Sequence, residues 1–453
     1  MHQFDEQVER IRTKLAAAKQ KDKELKVFGA SSHKYILHKP LAEEAISDFE
    51  TRYHISLPVS YKVFLLQLGN GGESHAGAAA GPFYGIYPLG GCVDELTTDP
   101  EKYLSGPVKI YPGITADSWQ DLTKDAEEDD ITDEAYDAAM GNIYAGILPI
   151  GSQGCTYLHG LVLNGEHAGK VVNVDMDRQL PQFTFEDNFL DWYERWLDEI
   201  ISEELPIDGP SWFGYTMGGS AATLLDKYHA ATDQLTRHQC IRGILVKRHI
   251  DPGMETLLEK EYLHAEAEYK REWLQVLTKF SYLLAKPHLL AYSTVDLLAV
   301  VQFIWWYVKD KSNEWLEVIT RSLPGINDDE TFRFCTYLLV EMKADYAHLM
   351  IPATTHENEQ IRVTAFYTLG KLENREHYLD VFINGLDDPA NYVIHAALQA
   401  LSGVKDQRLL PAYKKVLERF PTEQDYILSN LGYRLADMGL TIGELKKWNG
   451  QYP

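Results

Sequence analysis

Residues 57–72, LPVSYKVFLLQLGNGG, place an apolar segment between an early proline and a run of glycine and asparagine. Their apolar side chains recur every three or four residues, as one face of a helix requires: Tyr61, Phe64, Leu65 and Leu68. Proline is tolerated in a first helical turn, and Gly69 or Asn70 can end a helix because both residue types tolerate left-handed backbone. We therefore predict a sharply bounded helix here.

The segments on either side complete one domain. LAEEAISDFETRY, at 41–53, has the spacing of a second amphipathic helix, and a third begins near residue 185. Short apolar runs bounded by turn residues predict strands at 83–89, 147–151, 156–164 and 169–176. We predict an α+β domain over residues 30–205, with helices packed on a mainly antiparallel sheet, after an N-terminal helix or extension at 1–29.

The second half of the chain has a different pattern of predicted secondary structure. Residues 206–222 are rich in glycine and proline and predict a linker, and residues 223–453 show successive helical segments without a strand pattern. Residues 361–378 align with residues 393–410 at an offset of 32. A period of 30 to 45 residues is typical of helical solenoids, so we predict an all-α repeat domain that resembles HEAT-type repeats.

Residues 289–308 are apolar and about long enough to cross a bilayer. Asp296 would be costly inside lipid, so we predict a helix buried in a helical stack, with Trp305, Trp306 and Tyr307 as packing residues. The N-terminal 26 residues are too polar for a signal peptide, and the four cysteines form no CxxC pair. These features favour a cytoplasmic protein with reduced thiols that does not enter a membrane.

The charge is strongly acidic and unevenly spread. The chain has 67 acidic and 43 basic residues, a net charge of −24, and residues 1–205 hold 35 of the acidic but only 17 of the basic ones. Such a field repels nucleic acid and attracts basic partners, although many proteins are acidic merely for solubility. Residues 117–137 are the extreme, with ten acidic residues and one lysine, which alone would describe a solvated loop or exposed helix.

Signals for chemistry are weak. GEHAGKV, at 165–171, is one residue too short between its glycines for a phosphate-binding loop, and GSQGC, at 151–155, is not a nucleophile elbow. Cys155 would need His159 or His167 as a base, and an ordinary thiol is the simpler interpretation. We predict no catalytic, cofactor-binding or metal-binding residue, and therefore a binding protein instead of an enzyme.

Several of these segments, in their order along the chain, resemble the SUKH superfamily of fungal Smi/Knr-type cell-wall regulators and bacterial toxin-immunity proteins. The residues that carry the resemblance are Glu44, Phe49, Glu50, Leu57, Pro58, Tyr61, Asn70, Gly71, Gly72, Pro149, Gly151, Asp175 and Trp192. The resemblance covers residues 30–205 and implies two helices packed on a sheet, with protein binding instead of catalysis. The acidic insert at 117–137 and the helical half depart from the simplest members.

The resemblance and the charge together favour an immunity protein that neutralises a cognate, basic protein toxin, a nuclease being one candidate. The partner-binding residues that we predict for it are Asp125, Glu127, Glu128, Asp129, Asp130, Asp133 and Glu134. An adaptor that holds cellular proteins of the cell-wall or signalling type is the alternative, and an enzyme without a recognised motif is a third. The sequence leaves the oligomeric state open.

Overall fold

The computed structural model describes residues 2–128, 130–205, 213–343, 345–420 and 425–450. The chain divides into two compact units, residues 1–254 and residues 255–453. The first contains a four-stranded antiparallel sheet with helices, and the second is helical throughout its described residues. The predicted fold class is therefore confirmed. Residues 206–212 of the predicted linker lie outside the described residues.

The first unit contains ten α-helices and four strands among its described residues. The helices are α1 (Asp5–Lys21), α2 (Ala30–His33), α3 (Glu43–Tyr53), α4 (Val59–Val63), α5 (Pro100–Tyr103), α6 (Ala116–Thr123), α7 (Asp133–Ile143), α8 (Phe189–Ile201), α9 (Ala221–Ala230) and α10 (Gln234–Leu245). The strands are β1 (Ile147–Gly154), β2 (Tyr157–Val162), β3 (Val171–Asp175) and β4 (Gln182–Phe183). Short 3-10 turns occur at His2–Phe4, His75–Gly77 and Lys124–Ala126.

The sheet is an antiparallel meander in the order β1-β2-β3-β4. The loop NGEHAG joins β2 to β3 as a hairpin, as its turn residues predict. Side chains alternate between the two sides of a strand, so each face of the sheet needs its own cover. In β3, all five residues are buried, which shows that both faces are covered.

The first face of the sheet carries Leu148, Ile150 and Leu161. Helix α8 covers this face with an unbroken apolar stripe that includes Trp192, Trp196 and Ile200, and α1 and α4 pack against it. The Asn188 side chain caps α8 by accepting hydrogen bonds from the amides of Leu190 (2.9 Å) and Asp191 (3.2 Å). This side contains the main hydrophobic core of the unit.

The second face carries Ile147, Val162, Val172 and Val174. The segment that covers it comes from the acidic insert and the residues next to it, because α6 and α7 supply buried side chains to the same cluster: Trp119, Met140 and Ile143. The insert is therefore neither a loose loop nor a surface addition. It is one of the two layers that bury the sheet.

The helix predicted at 57–72 forms, but it changes character midway. Residues Val59–Val63 are α-helical, and Phe64–Leu68 continue as a π-helical turn. Our reason for its end was wrong, because Gly69 has an extended backbone (φ 164°) instead of a left-handed one. Glycine is required there by space, since an added Cβ would lie 2.4 Å from the His38 carbonyl oxygen.

The strand predicted at 83–89 does not form. Within it, Ile86 makes only an isolated bridge with Ala79, although the Tyr87 amide donates to the Ile150 carbonyl (2.8 Å) at the edge of β1. Phe83 and Gly85 have left-handed backbone, and Pro88 has no amide to donate. These residues turn an apolar segment into an irregular edge.

The second unit is a series of helix pairs. Its helices are α11 (Met254–His264, which begins at the unit boundary), α12 (Ala267–Phe280), α13 (Tyr282–Tyr292), α14 (Leu297–Tyr307), α15 (Leu316–Ser322), α16 (Asp329–Glu341), α17 (Ala347–Met350), α18 (Glu359–Leu369), α19 (Leu379–Gly385), α20 (Asn391–Ala400), α21 (Leu409–Arg419), α22 (Asp425–Asp437) and α23 (Ile442–Lys447). Connecting 3-10 turns lie at Lys309–Trp315, Leu323–Gly325, Pro352–Thr355 and Arg375–Tyr378.

From α12 onward, alternate helices pack against each other in chain order. Helix α12 packs against α14, α14 against α16, and the series continues through α18, α20 and α22. These helices begin 30 to 34 residues apart. Such stacking is consistent with helical repeats. The two segments aligned in sequence cover most of α18 and α20, whose small buried residues Ala365 and Ala397 occupy matching positions.

The apolar segment 289–308 is divided between α13 and α14. Asp296 lies at the break and caps α14 by accepting a hydrogen bond from the Ala299 amide (2.9 Å). Among the described residues, no helix is both long enough and apolar enough to span a bilayer. The packing role predicted for Trp306 is only partly correct, because 48% of its surface is exposed.

Candidate interaction surface

The insert is built from two capped helices. The Thr115 hydroxyl accepts a hydrogen bond from the Ser118 amide at the start of α6, and Thr132 accepts one from Ala135 at the start of α7. Asp133 and Glu134 occupy the first turn of α7, where carboxylates interact favourably with the helix dipole. Acidic residues are therefore compatible with the local structure here.

Trp119 anchors the insert to the sheet. It is 5% exposed, and its indole Nε1 donates a 2.7 Å hydrogen bond to the carbonyl of Arg178, in the turn after β3. Tyr144, just beyond α7, donates from its hydroxyl to the Asp175 carbonyl (2.6 Å). Burial raises the pKa of Tyr144, so this hydroxyl remains a donor at physiological pH. Trp119 in α6 and Tyr144 just after α7 are thus both tied to the backbone at the end of β3.

Arg178 joins the two helices of the insert. Its guanidinium donates to the Tyr136 hydroxyl (3.0 Å) on α7 and lies over the same ring, 5.7 Å from the centroid. Its Nε lies 3.9 Å from a carboxylate oxygen of Glu127, which follows α6. The side chain of Arg178 is only 19% exposed, so most of its charge faces the insert. Arg178 thus contacts Tyr136 on α7 and lies near Glu127, in the segment between α6 and α7.

The predicted binding residues lie mainly on the outer side of this layer. Those with exposed side chains are Asp125, Glu127, Glu128, Asp130, Asp133 and Glu134. Asp129 lies outside the described residues. Glu127 differs from the other five, because Arg178 partly neutralises it. The six described carboxylates are thus exposed along one stretch of the chain, next to helices that contact the end of β3 through Trp119 and Arg178.

This surface can act as an acceptor of positive charge. Ionised carboxylates only accept hydrogen bonds, and several together raise the local concentration of cationic groups. Lys124 is the single basic residue of the insert. Within the described residues, no group of three or more His, Cys, Asp or Glu is arranged to hold a metal ion. The arrangement suits basic side chains of a protein partner.

The cysteine and histidine considered as a nucleophilic pair have different environments. Cys155 is exposed, whereas His159 is buried in β2 with its Nδ1 3.0 Å from Asn173 Oδ1 and its ring against Phe83 and Trp192. Burial lowers the pKa of His159 to about 4, despite the smaller opposite effect of its hydrogen bond to Asn173. This contact set is that of a core histidine.

Arg178 and Tyr136 were missed by the sequence analysis. They lie 42 residues apart, and Arg178 has a left-handed backbone (φ 62°) that aims its carbonyl at the insert. No spacing rule connects such a pair. The one available signal was the near-continuous apolar run in β1 and β3, which indicates strands buried on both faces and therefore a second covering layer.

Comparison with protein families agrees with the resemblance. A model of the SMI1 / KNR4 family (SUKH-1) matches residues 40–195. The matched segment is about a third of the chain and contains α3 to α7, the whole sheet and the first half of α8. The acidic insert lies inside it. A search of curated proteins finds no match to this chain.

Proposed function

We propose that this protein is a non-enzymatic immunity protein that binds and neutralises a cognate basic protein toxin in the cytoplasm. The acidic insert, with Asp129 among its partner-binding residues, forms the surface that meets the toxin. A toxin that acts on nucleic acid must present cationic groups to phosphate, so an acidic inhibitor can cover the same groups. A nuclease is one toxin of this kind.

The observation that carries the proposal is that exposed acidic residues lie on a layer whose helices are tied to the sheet end by Trp119 and Arg178, within a segment that matches the SMI1 / KNR4 family (SUKH-1). The Trp119 and Arg178 contacts hold the helices that bear the carboxylates against the sheet before any partner arrives. A pre-organised charged surface loses little conformational entropy on binding and increases the association rate. Acidity for solubility alone would not require anchoring of this kind.

A regulatory or scaffolding adaptor is the second candidate. The observation that favours it is the helical-repeat unit, which exposes aromatic side chains such as Trp306, Tyr392 and Tyr433. Stacked helical repeats generally offer extended protein-binding surfaces. An adaptor would bind a cellular protein that is not toxic, and binding would relieve no toxicity.

The test begins with the full chain as bait in a lysate of its own organism. We expect a basic protein to co-purify at one-to-one stoichiometry, to be toxic when expressed alone, and to lose that toxicity when co-expressed with this chain. A triple variant, Asp125→Asn, Glu128→Gln and Asp130→Asn, removes three exposed carboxylates without touching Arg178 or the first turn of α7. It should associate about tenfold more slowly at low ionic strength, with a weaker dependence on salt.

The matched control neutralises three exposed carboxylates in the second unit: Glu373→Gln, Glu376→Gln and Glu418→Gln. It changes the net charge equally and should leave association nearly unchanged. Equal slowing by the two triples would mean that overall charge acts instead of this surface. A partner whose expression alone is harmless would contradict the immunity role and favour the adaptor.

A further inference from the structure

In alternate helices of the second unit, an aromatic residue recurs at the ninth position. Counted from their first residues, α14, α16 and α18 carry Trp305, Tyr337 and Tyr367 there, whereas α12 carries Gln275 and α20 carries Gln399. The two tyrosines are exposed, and Trp305 is half-buried. We call these three aromatic residues the aromatic ridge. Burial in the core does not explain the two tyrosines, because 37% of Tyr337 and 38% of Tyr367 is exposed.

The ridge contains a groove. Trp305 and Tyr337 lie with their ring centroids 5.2 Å apart, and Tyr367 lies on the next helix along. A cavity of about 260 Å³ is lined by these three rings together with Thr336, Val340, Thr364 and Thr368. This volume is below the usual range for a whole small-molecule ligand. It is suited to one or two side chains of an extended partner.

We propose that the aromatic ridge binds an extended, proline-rich segment of a partner protein that carries carboxylates. The helices that bear the ridge pack side by side. Packed helices are about 8–10 Å apart. A polyproline II segment advances ~9 Å per turn of three residues, so prolines three residues apart would meet neighbouring helices in step. Aromatic-lined grooves recognise such segments because the peptide is already ordered before binding.

The basic residues around the groove favour a partner segment that carries carboxylates. Arg333 and Lys371 line the groove, against one carboxylate, Glu341. Glu330 lies 3.8 Å from Arg333, whereas Lys371 is exposed and has no ion pair within the part of the chain that the structure describes. Lys309 adds a further cation, 5.6 Å from the centre of the Trp305 ring. In a chain of net charge −24, Lys371 is thus an exposed positive charge at the groove that is available to a carboxylate of the partner segment.

The experiment uses the full chain and two degenerate libraries of 12-residue peptides. One library fixes proline at every third position, and the other fixes glycine there. We expect at least tenfold enrichment from the proline library over the glycine library, with Asp and Glu over-represented at the free positions. The affinity of a selected peptide should fall at least tenfold for Tyr337→Ala or Tyr367→Ala, and about threefold for Lys371→Ser with reduced salt dependence.

Leu283→Ala is the matched control, because Leu283 is 84% exposed on α13 and lies outside the ridge. It should bind the selected peptide as the wild type does. Circular dichroism melting of every variant separates lost binding from lost folding. The proposal is overturned by absence of enrichment, or by equal binding to wild type and ridge variants. It is also overturned if sedimentation shows a dimer that Tyr337→Ala dissociates, since the ridge would then bind a second copy.

Discussion

The two faces of the sheet are covered by layers of different kinds. On the first face, α8 presents nine buried residues out of its thirteen and joins an aromatic core with α1 and α4. On the second face, α6 buries only Trp119 and Thr123 within its eight residues. Helix α7 adds Met140, Gly141 and Ile143, so the two helices of the second layer bury five of their nineteen residues and leave the other positions able to carry charge. One sheet thus supports a hydrophobic scaffold on one side and an acidic surface on the other.

The largest expected effect follows from the first layer. Trp196 is 1% exposed, and its ring stacks on Tyr35 (5.9 Å) and meets His33 (5.6 Å). Trp196→Ala should lower the unfolding free energy of the first unit by about 3–5 kcal/mol, because it leaves a large buried cavity. Denaturant-dependent hydrogen exchange read in β1–β3 measures this loss. Tyr111→Ala, at an exposed position of the same unit (43% exposed), should change it by less than about 0.5 kcal/mol. Equal effects would refute this assignment of the core.

The second largest expected effect is the loss of stability of the first unit in acid, which we attribute to two buried histidines on the side of the first face. Burial lowers the pKa of His33 and of His159 to about 4, from an ordinary value near 6.5. Between these values the unfolded chain binds protons that the folded chain does not, so stability falls as the pH drops from 6.5 to 4. Each histidine can contribute about 3 kcal/mol to this loss.

Unfolding free energies of the wild type and His33→Gln across pH 4 to 7 check the contribution of His33. The variant should show a shallower decline with acid, because one group with a depressed pKa is gone. His38→Gln, at an exposed site, should retain the slope of the wild type. Parallel curves for wild type and His33→Gln would exclude His33 as a source of the acid sensitivity.

We expect the second layer, α6 and α7, to be less stable than the first layer and to unfold separately from it. Trp119→Ala removes the buried indole and the hydrogen bond to the Arg178 carbonyl, and we expect a loss of about 3 kcal/mol in protection of α6 and α7. Hydrogen exchange read by mass spectrometry should show faster exchange at residues 116–143 and little change in α8. Equal deprotection of α8 would show that the two layers unfold as one cooperative unit and do not differ in stability.

The first layer could be predicted from the sequence because the hydrophobic periodicity of its helices lies within short, continuous segments. The spacing of Tyr61, Phe64 and Leu65 is enough to place a helix, and the NGEHAG turn is enough to pair β2 with β3. The second layer lacked such a signal, since Trp119 and Ala126 stand among acidic residues without a regular period. The exposed state of the carboxylates was predictable from their chemistry. Their support by Arg178 was not, because it depends on a tertiary contact.

The smallest expected effect on stability is that of neutralising carboxylates of the acidic surface. The triple variant Asp125→Asn, Glu128→Gln and Asp130→Asn changes exposed residues that are not in ion pairs within the described chain. Its unfolding free energy should stay within about 0.5 kcal/mol of the wild type, and relief of crowded negative charge could make the change favourable. Chemical denaturation at low and high salt measures it. A loss above about 2 kcal/mol would show that these carboxylates hold the second layer together. The surface would then be part of the scaffold, instead of being free to meet a partner.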